Sequence, residues 1–281
     1  MQRAASRYVA GDTAAGAAGV AQRLRAEGYG STIAYWDSGA EGPEPVATEY
    51  ERALCVAAAT GGYVSVKATA VSFRLYLLER LADRGVRLHF DAMGPGTVDE
   101  TRALIERLPG ECGTTLPGRW RRSDADAEWA IERGLTVRIV KGQWPGPDER
   151  DPSRGFLELV DRLAGRARSV SVATHDTALA HTALERLRAR GTSCELEQLY
   201  GLRRAPAPAR VYIPYGHAWL PYALNNLRRR PRAAWWLARD LLLAASSAGH
   251  RRPQQGAPRG TADHPPVPPG GEPGQTGDRA A

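Results

Sequence analysis

Short apolar and β-branched runs alternate along this chain with longer stretches whose apolar side chains recur every three or four positions. The first pattern fits strands and the second amphipathic helices. Strands are predicted at 31–36, 63–66, 86–91, 114–116, 136–140, 170–174, 193–196 and 211–213. Helices are predicted between them at 13–28, 48–59, 73–84, 98–108, 125–133, 153–166 and 177–190, most with a glycine shortly after the end, as at Gly28. Residues 214–230 read as an eighth helix and 233–245 as a terminal helix that closes or caps the structure. Strict alternation of this kind predicts an α/β fold, a distorted (βα)8 TIM-type barrel with that terminal helix on its carboxyl-terminal side.

The pattern stops near residue 248. From 249 to 281 the chain is loaded with Pro, Gly and charge and has almost nothing apolar to bury, which predicts a disordered tail after a barrel domain spanning 1–248. A length of 281 residues suits one such barrel. No apolar run approaches the roughly 20 residues that cross a bilayer, and the amino-terminal stretch lacks the compact apolar segment of a secretory signal. A cytoplasmic protein with at most peripheral membrane association is the expectation. Cys55, Cys112 and Cys194 are widely spaced, with no CxxC, so neither a disulfide framework nor a metal site is indicated, and all three read as small buried hydrophobes. The net charge of +7 concentrates in 228–232 and the tail, which reads as a solvated helix end rather than a nucleic-acid surface.

In a parallel barrel the chemistry gathers where the strands end. Those ends carry Lys67, Asp91, Arg138 with Lys141, Thr174 with His175, Glu197 and Tyr212. Lys67 and Lys141 are the only lysines of an arginine-rich chain, which marks them for tasks that a compact ammonium performs and a guanidinium does not. Alternation sends Arg138 and Val140 to one face and Ile139 to the other, while Gly142 admits close approach to the backbone. An inward arginine must meet an anion, an electron-rich ring or a structural carboxylate. Asp176 or Thr177 caps the next helix, whose first amides suit a phosphate. Glu195 and Glu197 share a face. The Tyr and Trp cluster of 211–222 forms either aromatic walls or packed core. No Ser or Cys pairs with His175 as a nucleophile would, and no HExxH stands in the chain.

The segments RIVKG, ATHD, ELEQLYG and VYIPYGxxWxxY, with VSVKATA, FDA and an opening RYVAGDT, occur in an order and spacing that resemble the proline dehydrogenases, from about Arg7 to Trp236. The resemblance implies FAD bound in a barrel without a GxGxxG, transfer of a hydride from L-proline to the flavin, and electrons passed on, commonly to quinone. By position it implies that Arg138 contacts the flavin ring, with Lys141 beside it, and that Val140, Gly142 and Trp144 line the cofactor. Thr174 and His175, with Asp176 following, would hold the ribityl and phosphate region, and Glu197 would stand beside the ring. Lys67, Asp91, Leu199, Tyr212 and Tyr222 would surround the substrate, Lys67 near its carboxylate.

Two departures stand out. After its last tyrosine the family carries adjacent arginines that grip the proline carboxylate, whereas this chain reads Tyr222-Ala223-Leu224-Asn225-Asn226, and these are its only asparagines. Pro117 replaces a strand residue that in the family is often a flavin-contacting Gln. A member acting on proline or a related amine, one acting on an amine or N–N compound with a neutral polar group, and a flavin-binding barrel without turnover are the readings these departures leave open. Since the tail has little to bury, deleting 249–281 is expected to leave the melting temperature and flavin content of the protein unchanged, as measured by calorimetry and absorbance.

Overall fold

The computed structural model of the chain describes residues 10–216. Within them eight parallel strands close on themselves in sequence order, each paired with the next and β8 with β1. The strands are β1 (Gly30–Trp36), β2 (Tyr63–Val66), β3 (Leu88–Phe90), β4 (Cys112–Pro117), β5 (Thr136–Val140), β6 (Ser169–Ala173), β7 (Cys194–Leu199) and β8 (Arg210–Gly216). Helix α1 (Ala14–Ala26) precedes β1, and α2 (Pro43–Thr60), α3 (Leu75–Ala82), α4 (Val98–Ile105), α5 (Ser123–Glu132), α6 (Pro152–Leu163) and α7 (Thr177–Ala189) follow successive strands. This is the (βα)8 architecture. The predicted closing helices, Tyr222, Asn225, Asn226 and the tail lie outside the described residues.

Local chemistry explains where the elements begin and end. Helix α2 starts five residues before the predicted position because Pro43 stands in its first turn, where a missing N–H costs nothing, with Glu44 beside it to meet the helix dipole. It stops at Gly61, whose φ of +69° is left-handed. Strand β8 runs past its predicted end and takes up Pro214 to Gly216, which the sequence pattern assigns to a helix. It pairs with β1 from Gly30↔Arg210 to Trp36↔Gly216, but with β7 only as far as Leu199↔Tyr212. The Tyr212 carbonyl accepts from Tyr200 N and the Pro214 carbonyl from Ala10 N, so both residues turn toward the β7 side. There the ladder has already ended, and the missing N–H of Pro214 forfeits no strand pairing.

Outward-facing strand residues such as Ile33, Val64, Phe90, Ile139, Val172 and Ile213 are buried against helix residues that include Leu54, Leu78, Phe156, Leu159 and Leu187. This shell between sheet and helices is the hydrophobic core. Cys112 is buried and Cys194 partly so, but Cys55 is exposed on α2, against expectation, because its position falls on the solvent side of that helix.

The barrel interior is tight and polar. A Cβ on Gly113 would overlap Nδ1 of the buried His89 and approach Thr136 Oγ1 to 2.5 Å, whereas one on Gly94 would meet nothing within 4 Å. Gly113→Ala is therefore expected to destabilise the protein by about 1–3 kcal/mol or more in urea unfolding, and Gly94→Ala by a few tenths at most.

Candidate active site

Alternation along the strands sends a set of polar side chains into the barrel. Arg138 on β5 and Glu197 on β7 are 3% and 2% exposed and face each other across it. Arg138 donates from Nε to Glu197 Oε2 at 2.7 Å and from Nη2 to Oε1 at 3.0 Å, the two-pronged geometry of a guanidinium on a carboxylate. Thr32 on β1 donates to Glu197 Oε1 at 2.8 Å. Burial pushes the Glu197 carboxyl up, but the charge and hydrogen bonds of Arg138 outweigh it and hold the group below its ordinary range. Removing one partner of such a pair leaves a buried charge uncompensated.

The same guanidinium reaches the end of β3. Its Nη1 donates to Asp91 Oδ1 at 2.7 Å and to Ser65 Oγ at 3.0 Å, and Ser65 Oγ donates to that same carboxylate oxygen at 2.7 Å. The other oxygen, Oδ2, accepts from the Tyr212 hydroxyl at 2.9 Å, which itself accepts from Trp36 Nε1 at 3.4 Å. Burial and the Asp91 charge raise the Tyr212 phenol well above its usual range, so it stays protonated and serves as a donor. Deeper in the barrel Arg210 donates to Glu195 Oε1 at 2.6 Å and to the Ser31 carbonyl at 2.7 Å. Between these layers lies His89, 1% exposed, held neutral by burial and by the charges of Arg138, Arg87 and Arg210.

The two lysines take carboxylates at the rim. Lys67 Nζ lies 2.9 Å from Asp37 Oδ1 and donates to the Tyr35 carbonyl at 3.5 Å. Its place is set by a 3-10 turn, Ala68–Val71, followed by Ser72 and Phe73 with φ of 52° and 53°, a left-handed pair without glycine. Lys141 Nζ lies 3.0 Å from Asp176 Oδ2. Asp176 is the amino-terminal cap of α7, accepting from Leu179 N at 3.1 Å, and Lys141 with that amide lowers its carboxyl below the usual range. Thr174 Oγ1 accepts from Asp176 N at 3.1 Å, and His175 Nε2 accepts from Leu199 N at 2.9 Å.

Comparison with protein-family models gives no match. Comparison with curated proteins finds proline dehydrogenase of Deinococcus radiodurans, 27% identical over 164 residues, which spans 52% of this chain and 53% of that protein. Proline dehydrogenase 1 of Bacillus subtilis is 24% identical over 275 residues, spanning 85% of this chain and 90% of its own. Over these spans the chain is similar to curated proline dehydrogenases. Among solved structures, proline utilization A from Bdellovibrio bacteriovorus, inactivated by N-propargylglycine, superposes with a TM-score of 0.68 at 15% identity. That match covers 77% of this chain and 31% of the other, and it agrees on the barrel.

The structure brings Arg138, Glu197, Asp91 and Tyr212 into one network, while along the rim from β5 to β7 Lys141 meets Asp176, whose amide meets Thr174, and His175 separately meets Leu199. Some expectations need amendment. Lys67 rests on Asp37, a strand-end carboxylate one residue past β1 that the inventory of strand ends omits. Gly142, at φ +91°, is demanded by packing, since its Cβ would stand 2.8 Å from that of Pro117. Trp144 is 41% exposed, and its backbone carbonyl, not its ring, is engaged, by Trp120 Nε1 at 2.9 Å. Tyr212 lies midway along β8 rather than at its end, yet still reaches Asp91. Thr32, Ser65 and Arg210 escaped notice because hydroxyls and an arginine inside a barrel carry no motif of their own. Among the described residues no cluster of His, Cys, Asp and Glu is suited to a metal, and no helix is long and apolar enough to cross a membrane.

Glu197→Gln is expected to cost about 3–5 kcal/mol in chemical denaturation, whereas Arg138→Met with Glu197→Leu together recovers much of that loss. The carboxyl of Glu197 is depressed in the fold, so its contribution is present above the ordinary glutamate range and is lost as pH falls through the folded value. The acid-side decline of stability is expected to be shallower in Glu197→Gln.

Proposed function

We propose that this barrel is an FAD-dependent oxidoreductase of the proline dehydrogenase type, acting on the C–H beside the nitrogen of L-proline or a related amine. The observation that carries the reading is Arg138. Its guanidinium is held by Glu197, Asp91 and Ser65 in one orientation, and one Nη2 hydrogen has no partner among the described residues. Such a fixed cationic donor fits the electron-rich edge of a flavin. When bound, the flavin would supply the hydride acceptor. Thr174, His175, Lys141 and Asp176, grouped at the start of α7, offer hydroxyl, imidazole, ammonium and helix-end chemistry for a ribityl chain and phosphates. Val140, Gly142 and Trp144 complete the cofactor side.

The remaining residues divide the work on the substrate. Glu197 fixes Arg138. Asp91, held by three donors, fixes the Tyr212 hydroxyl, and Lys67, Leu199 and Tyr222 would surround the amine, with Asn225 and Asn226 following in sequence. A quinone is the acceptor that the family relationship suggests, and the cytoplasm the place, with at most peripheral contact to a membrane.

FAD titration of the purified protein tests the reading directly. Saturable binding with a dissociation constant on the order of 1 μM, visible as a shifted flavin spectrum, is expected. Arg138→Met is expected to weaken it at least several-fold, with loss of that spectral shift. A protein that neither carries nor takes up flavin would falsify the proposal.

A further inference from the structure

Arg138 is compensated differently from the other cations of the barrel and its rim. Lys67 takes one carboxylate, Asp37 at 2.9 Å, Lys141 takes Asp176 at 3.0 Å, and Arg210 takes Glu195 at 2.6 Å. Arg138 takes two, Glu197 and Asp91, at 2.7 Å each. The surrounding donors suit both carboxylates in their ionised form. Thr32 and Tyr63 donate to the two oxygens of Glu197 at 2.8 and 3.4 Å, and Ser65 and Tyr212 to the two oxygens of Asp91 at 2.7 and 2.9 Å. These four hydroxyls stabilise the anions yet carry no charge of their own. One guanidinium and two carboxylates leave a cluster with one negative charge in excess. Arg138 and Glu197 are almost wholly buried, so water and salt screen that charge little.

An acceptor on the remaining Nη2 hydrogen of Arg138 would stand within about 6 Å of Glu197 Oε1, because Nη2 lies 3.0 Å from that oxygen and a second hydrogen bond adds about as much. Reduction adds negative charge to a flavin, and a carboxylate at such range opposes it. We propose, resting on the function proposed above, that Glu197 and Asp91 cancel the charge of Arg138 and so hold down the reduction potential of the bound flavin, while the hydrogen bond from the guanidinium stays in place. Arg138 then orients the ring without drawing electrons onto it. A flavin so held is the stronger reductant, which favours handing electrons on over taking them from the amine.

The test is the midpoint potential of FAD bound to the full chain, read by anaerobic reductive titration against a reference dye. Glu197→Gln and Asp91→Asn each remove one negative charge and keep a side chain of nearly the same shape. Each is expected to favour reduced over oxidised flavin by about tenfold or more, a rise of about 30 mV for a two-electron couple. Glu197→Asp keeps the charge while shortening the side chain, and is expected to move the potential less than half as far. That variant separates charge from the geometry of the fork. Should Glu197→Gln fail to fold, Asp91→Asn decides alone, because the Asp91 side chain is 19% exposed and tolerates the change better. A potential that stays level or falls in the neutral variants overturns the proposal and leaves the flavoprotein reading intact, as does a shift in Glu197→Asp equal to that in Glu197→Gln. A wild-type chain that takes up no FAD removes the underlying reading and this proposal with it.

Discussion

The buried contact between Arg138 and Glu197 is the constraint around which the interior of this barrel is organised. A guanidinium and a carboxylate taken out of water lose several kcal/mol of hydration each, and only close, multiply bonded geometry restores it. The strands around them supply that geometry. β1 contributes Thr32, β2 Ser65 and the residue just after β3 is Asp91, so four strands and the end of a fifth converge on one pair of charges. Barrel interiors are ordinarily filled by branched apolar side chains, which pack in many ways at little cost. A charged interior tolerates far fewer arrangements, since each displaced strand would orphan a hydrogen bond in a low-dielectric setting. Register between β5 and β7 is therefore fixed by polar chemistry, while the apolar shell outside supplies most of the driving force for folding.

The two halves of the polar arrangement differ in character. The deep half is built on Arg138 and Glu197, which are almost wholly buried and doubly bonded to each other, and it behaves as a rigid platform. The rim half, with Lys67, Asp37, Lys141 and Asp176, is partly open to solvent, so its pairs are weaker and exchangeable. The donors below are thus held more firmly than the charges above.

The alternation of strand and helix was legible in the sequence because each element carries its own period and its own terminator. All eight strands were located, and the errors lie at the boundaries. Prolines mislead in both directions. Pro43 begins a helix and Pro214 sits within a strand, and in each case the tolerance comes from a backbone nitrogen that would have had no partner anyway. Strand-end chemistry was legible for Lys67, Asp91, Arg138 and Glu197, since alternation alone places them inward. Who pairs with whom was not, because a partner such as Asp37 lies thirty residues from Lys67 and is joined to it only by barrel closure. Likewise the glycine requirement at Gly142 arises from Pro117 on the neighbouring strand, a contact that no local pattern encodes.

The left-handed pair at Ser72 and Phe73 adds a different kind of information. Backbone conformations of this sort cost about 1–3 kcal/mol each when no glycine relieves them, and here two occur in succession directly after the turn that carries Lys67. That connection is thus a place where durability and precision pull against each other. A glycine at 72 would let the loop relax, raising the stability of the native backbone, and would at the same time free the lysine to wander from Asp37. Efforts to harden this protein against heat would find an easy gain at that loop, and would exchange for it the sharpness with which the site presents its charges.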